Sequence, residues 1–305
     1  MDLIARFAEE VGPAGPVAVE GGRTHWEVGG LPHPATRLVR APSGVVAHHP
    51  EEMIVRVRAG TPVAELDAAL AERGQMVPLD PHEPGRATVG GVLAVGRSGP
   101  RRLRWGPVRD LLLEARFVSA EGRLVRAGGP VVKNVTGFDL CRLLVGSLGT
   151  LGLLAEVVLR THPRPAARRW LASRQALDGP QATAALRRLW RPSSFLWDGE
   201  RAWVLLEGHP ADVDAEAARL GAGFEPVADG PKLPQGGRLS LRPGQLEGLS
   251  GWGRGRFVAE LGVGVVHCEA PQAASRPGRG LGPLHQRVRR SFDPQGRLNP
   301  GREVA

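Results

Sequence analysis

Glycine is the first residue type in this chain whose placement could do chemistry. It concentrates at 21–22, 85–99, 137 and 146–152, each time at the edge of an expected strand or the start of an expected helix. Bare backbone at a strand-to-helix junction leaves amide N–H groups pointing outward, and such concavities hold phosphate and other anions. One glycine-rich turn ordinarily means only a backbone position needing positive φ. Four within about 130 residues, in a mixed helix–strand pattern, point instead to a large phosphate-bearing cofactor. The loop at 146–152 adds Ser147 and Thr150, whose hydroxyls are expected as extra donors to a pyrophosphate or ribose, and Lys133 lies upstream of the helix that precedes it.

The familiar phosphate fingerprints do not account for these loops. No Gly-x-Gly-x-x-Gly joins a first strand to a helix with an acid further on, and no P-loop exists, because neither lysine, Lys133 or Lys232, follows a glycine. Other reactive groups are sparse. His82-Glu83, beside a glycine loop, is the best local acid/base pair. His48 and His49 are adjacent on an extended stretch and point to opposite faces, so they share no metal. His267, Cys268 and Glu269 read as a strand end, and no metal ligand set is expected. The two cysteines, Cys141 and Cys268, form neither a disulfide framework, a zinc ribbon nor a CxxC motif.

The elements that must position these groups follow from periodicity. Residues 2–11 have Leu3, Ile4, Phe7 and Val11 at helical spacing. A small strand at Pro16–Glu20 runs into Gly21-Gly22, and extended stretches follow at 37–40, 45–48 and 52–58. Thr61-Pro62 is a helix start, with Thr61 as cap, Val63, Leu66, Ala69 and Leu70 inside, and Gly74 as the left-handed end. Leu111–Ser119 and Arg123–Arg126 make a hairpin-like pair; Asp139 caps a helix containing Leu140, Leu143 and Leu144; Leu153–Arg160 is an apolar strand. Beyond the Pro/Arg stretch at 162–165, the best linker, come a helix near 180–190, a strand at 202–207 and a helix at 211–220. Residues 271–280 are irregular, 284–290 form a short helix, and no internal repeat is present.

Composition narrows the class. With 305 residues, 42% hydrophobic and 23% charged, the chain is globular. No run of 18 apolar residues exists to span a membrane, and Met1–Arg6 lacks the basic-then-apolar pattern of a secretory signal, so a cytoplasmic protein is expected. The net charge of +9 is nearly all arginine, in scattered pairs such as Arg101-Arg102 and Arg289-Arg290 rather than a stripe interleaved with aromatics. That disfavours nucleic acid and suits an anionic ligand or an acidic partner.

Taken with Gly21–Trp26, Gly60–Pro81, Ala87–Arg102, Thr161–Pro165 and Phe292–Arg302, the run Val131–Val157 resembles the FAD-binding domain of the vanillyl-alcohol oxidase superfamily, the PCMH type. The likeness is nearest to the flavin-binding E subunits of glycolate oxidases. It implies an α+β fold, in which a PCMH-type FAD-binding domain of two α/β subdomains (1–164) carries a smaller α/β cap (165–270), and 271–305 returns to the FAD domain. It assigns Gly21, Gly22, Arg23, Thr24, His25 and Trp26 to the first phosphate loop, and Thr88, Gly90, Gly91 and Ala94 to the stretch beside pyrophosphate and flavin. Ser98, Gly99, Pro100 and Arg101 fall near the isoalloxazine, and Gly149, Thr150, Gly152 and Leu153 on the phosphates and adenine. Asn299 stands in the returning element.

Departures from the family pattern shape the expectation further. Phe138 replaces a frequent tyrosine, and Arg23 a small residue. No histidine or cysteine stands near Gly99–Arg101 for covalent flavin attachment, so FAD is expected to bind non-covalently. Catalytic relatives carry Gly-His-x-Gly-Asp-Gly-Asn-x-His, which Gly262–Glu269 lacks, so no catalytic residue is assigned. The implied role is an FAD-binding subunit relaying electrons within a 2-hydroxy-acid oxidising complex. Its implied partners are a larger catalytic flavoprotein and an iron–sulfur subunit, peripheral to the inner membrane through them. The alternatives are a stand-alone reductase or dehydrogenase of the same superfamily, like that acting on an enolpyruvyl-UDP-sugar, and, more remotely, a non-enzymatic basic scaffold or nucleic-acid-binding module.

Overall fold

The computed structural model describes residues 2–129, 139–249, 256–270 and 281–304. Lys133, Phe138 and the stretch 271–280 lie outside the described residues. The chain divides into two compact units: Met1–Gly99, Pro107–Arg164 and Arg276–Ala305 form one, Pro100–Gly106 and Pro165–Ser275 the other. Pro100–Gly106 goes with the second unit because Leu103 packs into that unit's core and Arg104 donates to the Glu207 carbonyl.

A five-stranded antiparallel sheet centres the first unit, in the order Val45–His49, Ile54–Arg58, Leu153–Arg160, Leu112–Val118, Leu124–Gly128. Leu153–Arg160 is buried along nearly its whole length, and a strand covered on both faces reads as a continuous apolar run. The helices Val63–Ala71, Val89–Val95 and Leu140–Leu144 send Leu66, Leu70, Leu93 and Leu144 into one core with Val55, Val57, Ala115 and Val157. The Leu3–Val11 helix builds a second core, packing Ile4, Phe7 and Val11 with Val118, Leu153 and Ala155. Two glutamates lie buried in the sheet. Arg56 Nη1 reaches Glu114 at 2.9 Å and Glu156 at 3.2 Å, and Arg126 reaches Glu114 at 2.7 Å. Burial opposes the charge of Arg56, but hydrogen bonds to both glutamates leave its pKa raised.

Several local expectations need correction. Thr61 does not cap the Val63–Ala71 helix: its hydroxyl accepts from the Gly44 N–H at 2.8 Å and donates to the Arg58 carbonyl at 2.7 Å, pinning two turns together. Gly74 is left-handed at φ +64, but the helix ends earlier, at Ala71. Val89–Val95 is helical despite Gly90 and Gly91, because tertiary contact overrides propensity: a Cβ at Gly90 would lie 2.7 Å from the Ala59 Cβ. Asp139 does cap its helix, accepting from Arg142 N–H at 3.1 Å, and the last helix runs Leu281–Phe292, longer than its periodicity suggested.

The second unit is a seven-stranded antiparallel sheet, ordered Phe224–Val227, Ala167–Ser173, Ala202–Gly208, Ser194–Trp197, Phe257–Glu260, Val265–Cys268, Gly237–Ser240. Gly179–Arg187 and Pro210–Leu220 cover one face, burying Ala182, Ala185, Val213 and Leu220 with Phe195, Trp197, Val204 and Leu206. Asp178 and Gln181 form a capping box at the first of these helices. Five of the strands were not legible in sequence, being short or, like Ala167–Ser173, broken by paired arginines. Among the described residues no helix is long and apolar enough to cross a membrane, and no cluster of three or more His, Cys, Asp or Glu could hold a metal.

Candidate functional site

Four separated stretches of the first unit face one cleft of about 300 Å3: Glu20–Gly22, the Ala59–Pro62 turn with Thr88–Ala94, the 144–154 segment, and Asn299. A recess of about 90 Å3, sharing Gly21, Gly22, Thr88 and Asn299, continues along Arg23–Trp26 to Arg302. The main cleft alone reaches the lower end of the size range of small-molecule sites.

The parallel pair Val17–Val19 and Arg37–Val39 delivers the first loop. Its last anchor is Glu20 N–H donating to the Val39 carbonyl; beyond it the amides of Gly21, Gly22, Arg23 and Thr24 have no acceptor among the described residues. The loop must be glycine where it leaves the sheet. A Cβ on Gly22 would lie 1.8 Å from the Arg86 carbonyl oxygen, and one on Gly21 would lie 2.6 Å from the Thr88 hydroxyl. Arg23, the departure noted in sequence, turns the chain at φ +56. Its guanidinium lies 5.0 Å from the Trp26 ring and pairs with Glu20 at 2.8 Å; Glu20 also takes Arg40 at 3.1 Å. His25 and Trp26 border the recess.

Of the other three glycine stretches, Gly137 lies outside the described residues and the remaining two behave differently from the expectation of outward amides. In the Val89–Val95 helix, Val89 N–H goes to Thr61 O, Gly90 N–H to Ala59 O, and Gly91 N–H to the capping Thr88 hydroxyl. What this helix gives the cleft is a wall without bulk at Gly90, Gly91 and Ala94. In the 146–152 loop, Leu148 N–H goes to Ala94 O, Gly149 N–H to the Ser147 hydroxyl and Thr150 N–H to Ser147 O. The Ser147 hydroxyl donates to Leu144 O and that of Thr150 to Ser147 O, both at 2.7 Å. The idea that these hydroxyls are extra donors is therefore overturned: their protons close their own loop. Gly149, Gly152 and Leu153 face the cleft, and Thr150 does not.

Asn299 joins the parts. At φ +44 its N–H donates to Val17 O at 2.8 Å and its side-chain amide to Gly149 O at 3.0 Å, so the returning C-terminal segment locks the first loop's strand to the last loop. Arg302, which the sequence reading missed, is buried and its Nη1 donates to the carbonyls of Trp26, Val28 (2.8 Å) and Gly30. Burial pushes its pKa down. In sequence Arg302 is one arginine among many; only its burial distinguishes it.

The remaining predicted residues stand elsewhere. Ser98 is buried and accepts from Val108 N–H at 3.0 Å, and Gly99 lies against Asp80; neither faces the cleft. Pro100 and Arg101 belong to the second unit, where Arg101 lies 3.7 Å from Glu207. His82 is exposed while Glu83 pairs with Arg86 at 2.7 Å, so they make no acid/base pair in the cleft. His267 meets Glu260 at 2.6 Å in the second unit rather than its sequence neighbours. His48 meets Gln75 at 2.8 Å.

The chain is similar to several known proteins. A family described as FAD binding domain matches residues 5–128. The chain is 32% identical to glycolate oxidase subunit GlcE of Escherichia coli, covering 99% of this chain and 97% of that one. It is 34% identical to glycolate oxidase subunit GlcD of Bacillus subtilis over 40% of this chain and 26% of the other. Against the mitochondrial D-lactate dehydrogenase [cytochrome] of Arabidopsis thaliana it is 40% identical over 40% of this chain and 21% of the other. Among solved structures, alkyldihydroxyacetonephosphate synthase shares the fold, with a TM-score of 0.71 at 15% identity over 98% of this chain and 73% of that one.

Proposed function

Because the chain belongs to the family of the glycolate oxidase subunit GlcE, we propose that it is the FAD-binding subunit of a glycolate oxidase-like complex that oxidises small 2-hydroxy acids. The observation that carries this is the convergence of Gly21–Trp26, Thr88–Ala94, Gly149, Gly152, Leu153 and Asn299 on one cleft and its adjoining recess. The donor set fits the cofactor: the free amides of the first loop suit a diphosphate, and the bare walls at Gly90, Gly91 and Gly149 admit close approach of a flat ring. Bound there, FAD supplies two-electron oxidation chemistry. The chain's own part is to hold the diphosphate through Gly21–Thr24, to wall the cleft with Leu148 and Leu153, and to keep its rim closed through Asn299.

Binding is non-covalent on this reading. Electron relay, rather than housing the main catalytic site, is supported by the absence of the Gly-His-x-Gly-Asp-Gly-Asn-x-His signature from Gly262–Glu269. The partners are then a catalytic flavoprotein subunit and an iron–sulfur subunit, with the complex cytoplasmic and peripheral to the inner membrane. The purified chain should show oxidised-flavin absorbance, or gain it on adding FAD, and should co-purify with those subunits. A chain that takes up no FAD under any condition would end the proposal.

A further inference from the structure

We propose that Arg302 is the positioning residue that sets the first loop for its diphosphate, and that its positive charge is reserved for that anion. The inference rests on the FAD reading above and adds to it a residue outside every glycine loop. Arg302 is 6% exposed, and one nitrogen of its guanidinium gathers the carbonyls of Trp26, Val28 and Gly30. Three carbonyls turned toward one nitrogen fix the direction of the chain just after Gly21–Thr24, the segment whose amides have no internal acceptor. The backbone reinforces the clamp: Glu303 N–H donates to Gly29 O at 2.7 Å and His33 N–H to Pro300 O at 2.9 Å. Gly29, Gly30 and Gly301 all have positive φ, and a Cβ on any of them would meet backbone oxygen of the opposite segment within 2.8 Å. The two segments can therefore zip together only as they stand.

The charge is the second half of the inference. Among the described residues no carboxylate pairs with Arg302; its side-chain partners there are carbonyl oxygens, and the Trp26 ring lies 4.8 Å from its guanidinium. Carbonyls and an aromatic face lower the cost of burying a cation without cancelling its charge. The guanidinium borders the same recess as the free amides and Arg23, so an anion placed there meets both. Arg23 differs, because Glu20 already pairs with it at 2.8 Å.

The test is to titrate apoprotein with FAD, following flavin fluorescence, and with ADP as a competitor that carries the diphosphate without the flavin. Arg302→Gln should weaken both ligands at least tenfold. Arg302→Lys, which keeps the charge on a shorter side chain without the planar fork, should fall between that variant and the native chain. The salt dependence of ADP binding should flatten in Arg302→Gln and persist in Arg302→Lys, a split that a purely structural role would not produce. Unchanged affinities in both variants would overturn the assignment, and so would losses without the salt split. Should Arg302→Gln fail to fold, Arg302→Lys decides alone: native affinity for FAD and ADP sinks the inference. If the native chain binds ADP but not FAD, the functional reading fails while the Arg302 inference is still decided by ADP.

Discussion

Gly149 shows how much of the site rests on single atoms. Its φ of +71 is strained for any residue with a Cβ, and that Cβ would lie 2.4 Å from the Asn299 side-chain nitrogen. Gly149→Ala should cost about 1–3 kcal/mol, combining backbone strain with loss of the Asn299 hydrogen bond; urea unfolding reads the first effect and FAD retention the second. Cys141 behaves as a core residue. Burial pushes its thiol from 9.0 up to about 11, and its Sγ lies 3.5 Å from Ala127 O. Because the folded state holds the proton more tightly, the thiol's contribution to stability is full below about pH 9 and is lost as pH climbs toward 11. Alkylation by iodoacetamide at pH 8 should spare Cys141 in the folded chain and label it in urea.

At the scale of elements, the returning C-terminal segment matters more than its length suggests. Asp293 accepts from Arg297 and Leu298 N–H at 3.0 and 2.7 Å, shaping a turn that inserts Arg297 beneath the first helix. There the Arg297 guanidinium donates to the carbonyls of Val11, Ala14, Gly15 and Ala120, and burial lowers its pKa. Arg297→Met fills the space but strands those carbonyls, so about 2–4 kcal/mol should be lost, measured as a lower urea midpoint at unchanged slope. Thr61 is the comparable tie between turns. Thr61→Val keeps its volume and removes both hydrogen bonds, costing about 1–3 kcal/mol by the same measurement. The same substitution at a mere helix cap would cost about 1 kcal/mol.

For the molecule as a whole, cofactor binding and stability are linked. FAD at about one hundred times its dissociation constant should stabilise the chain by about 2.7 kcal/mol, seen as a calorimetric transition that moves upward with FAD concentration. If the two units melt separately, only the transition of the first should move, since every cleft residue belongs to it. The sequence alone was enough for the family, the cofactor, the central apolar strand Leu153–Arg160 and the glycine loops, because those signals are local: a bare turn or an apolar run carries its reason within a few residues. It also marked Asn299, by resemblance. Tertiary structure decided which loops keep their amides for a ligand, that Ser147, Thr150 and Thr61 bond to their own chain, that Arg302 is the buried cation of the recess, and how seven short strands assemble the second unit. For Gly90 and Arg302 the acceptors, Ala59 and Trp26, come from far along the chain, beyond any short window of sequence; Ser147, Thr150 and Thr61 close onto carbonyls three residues back, and only the folded loop fixes that choice.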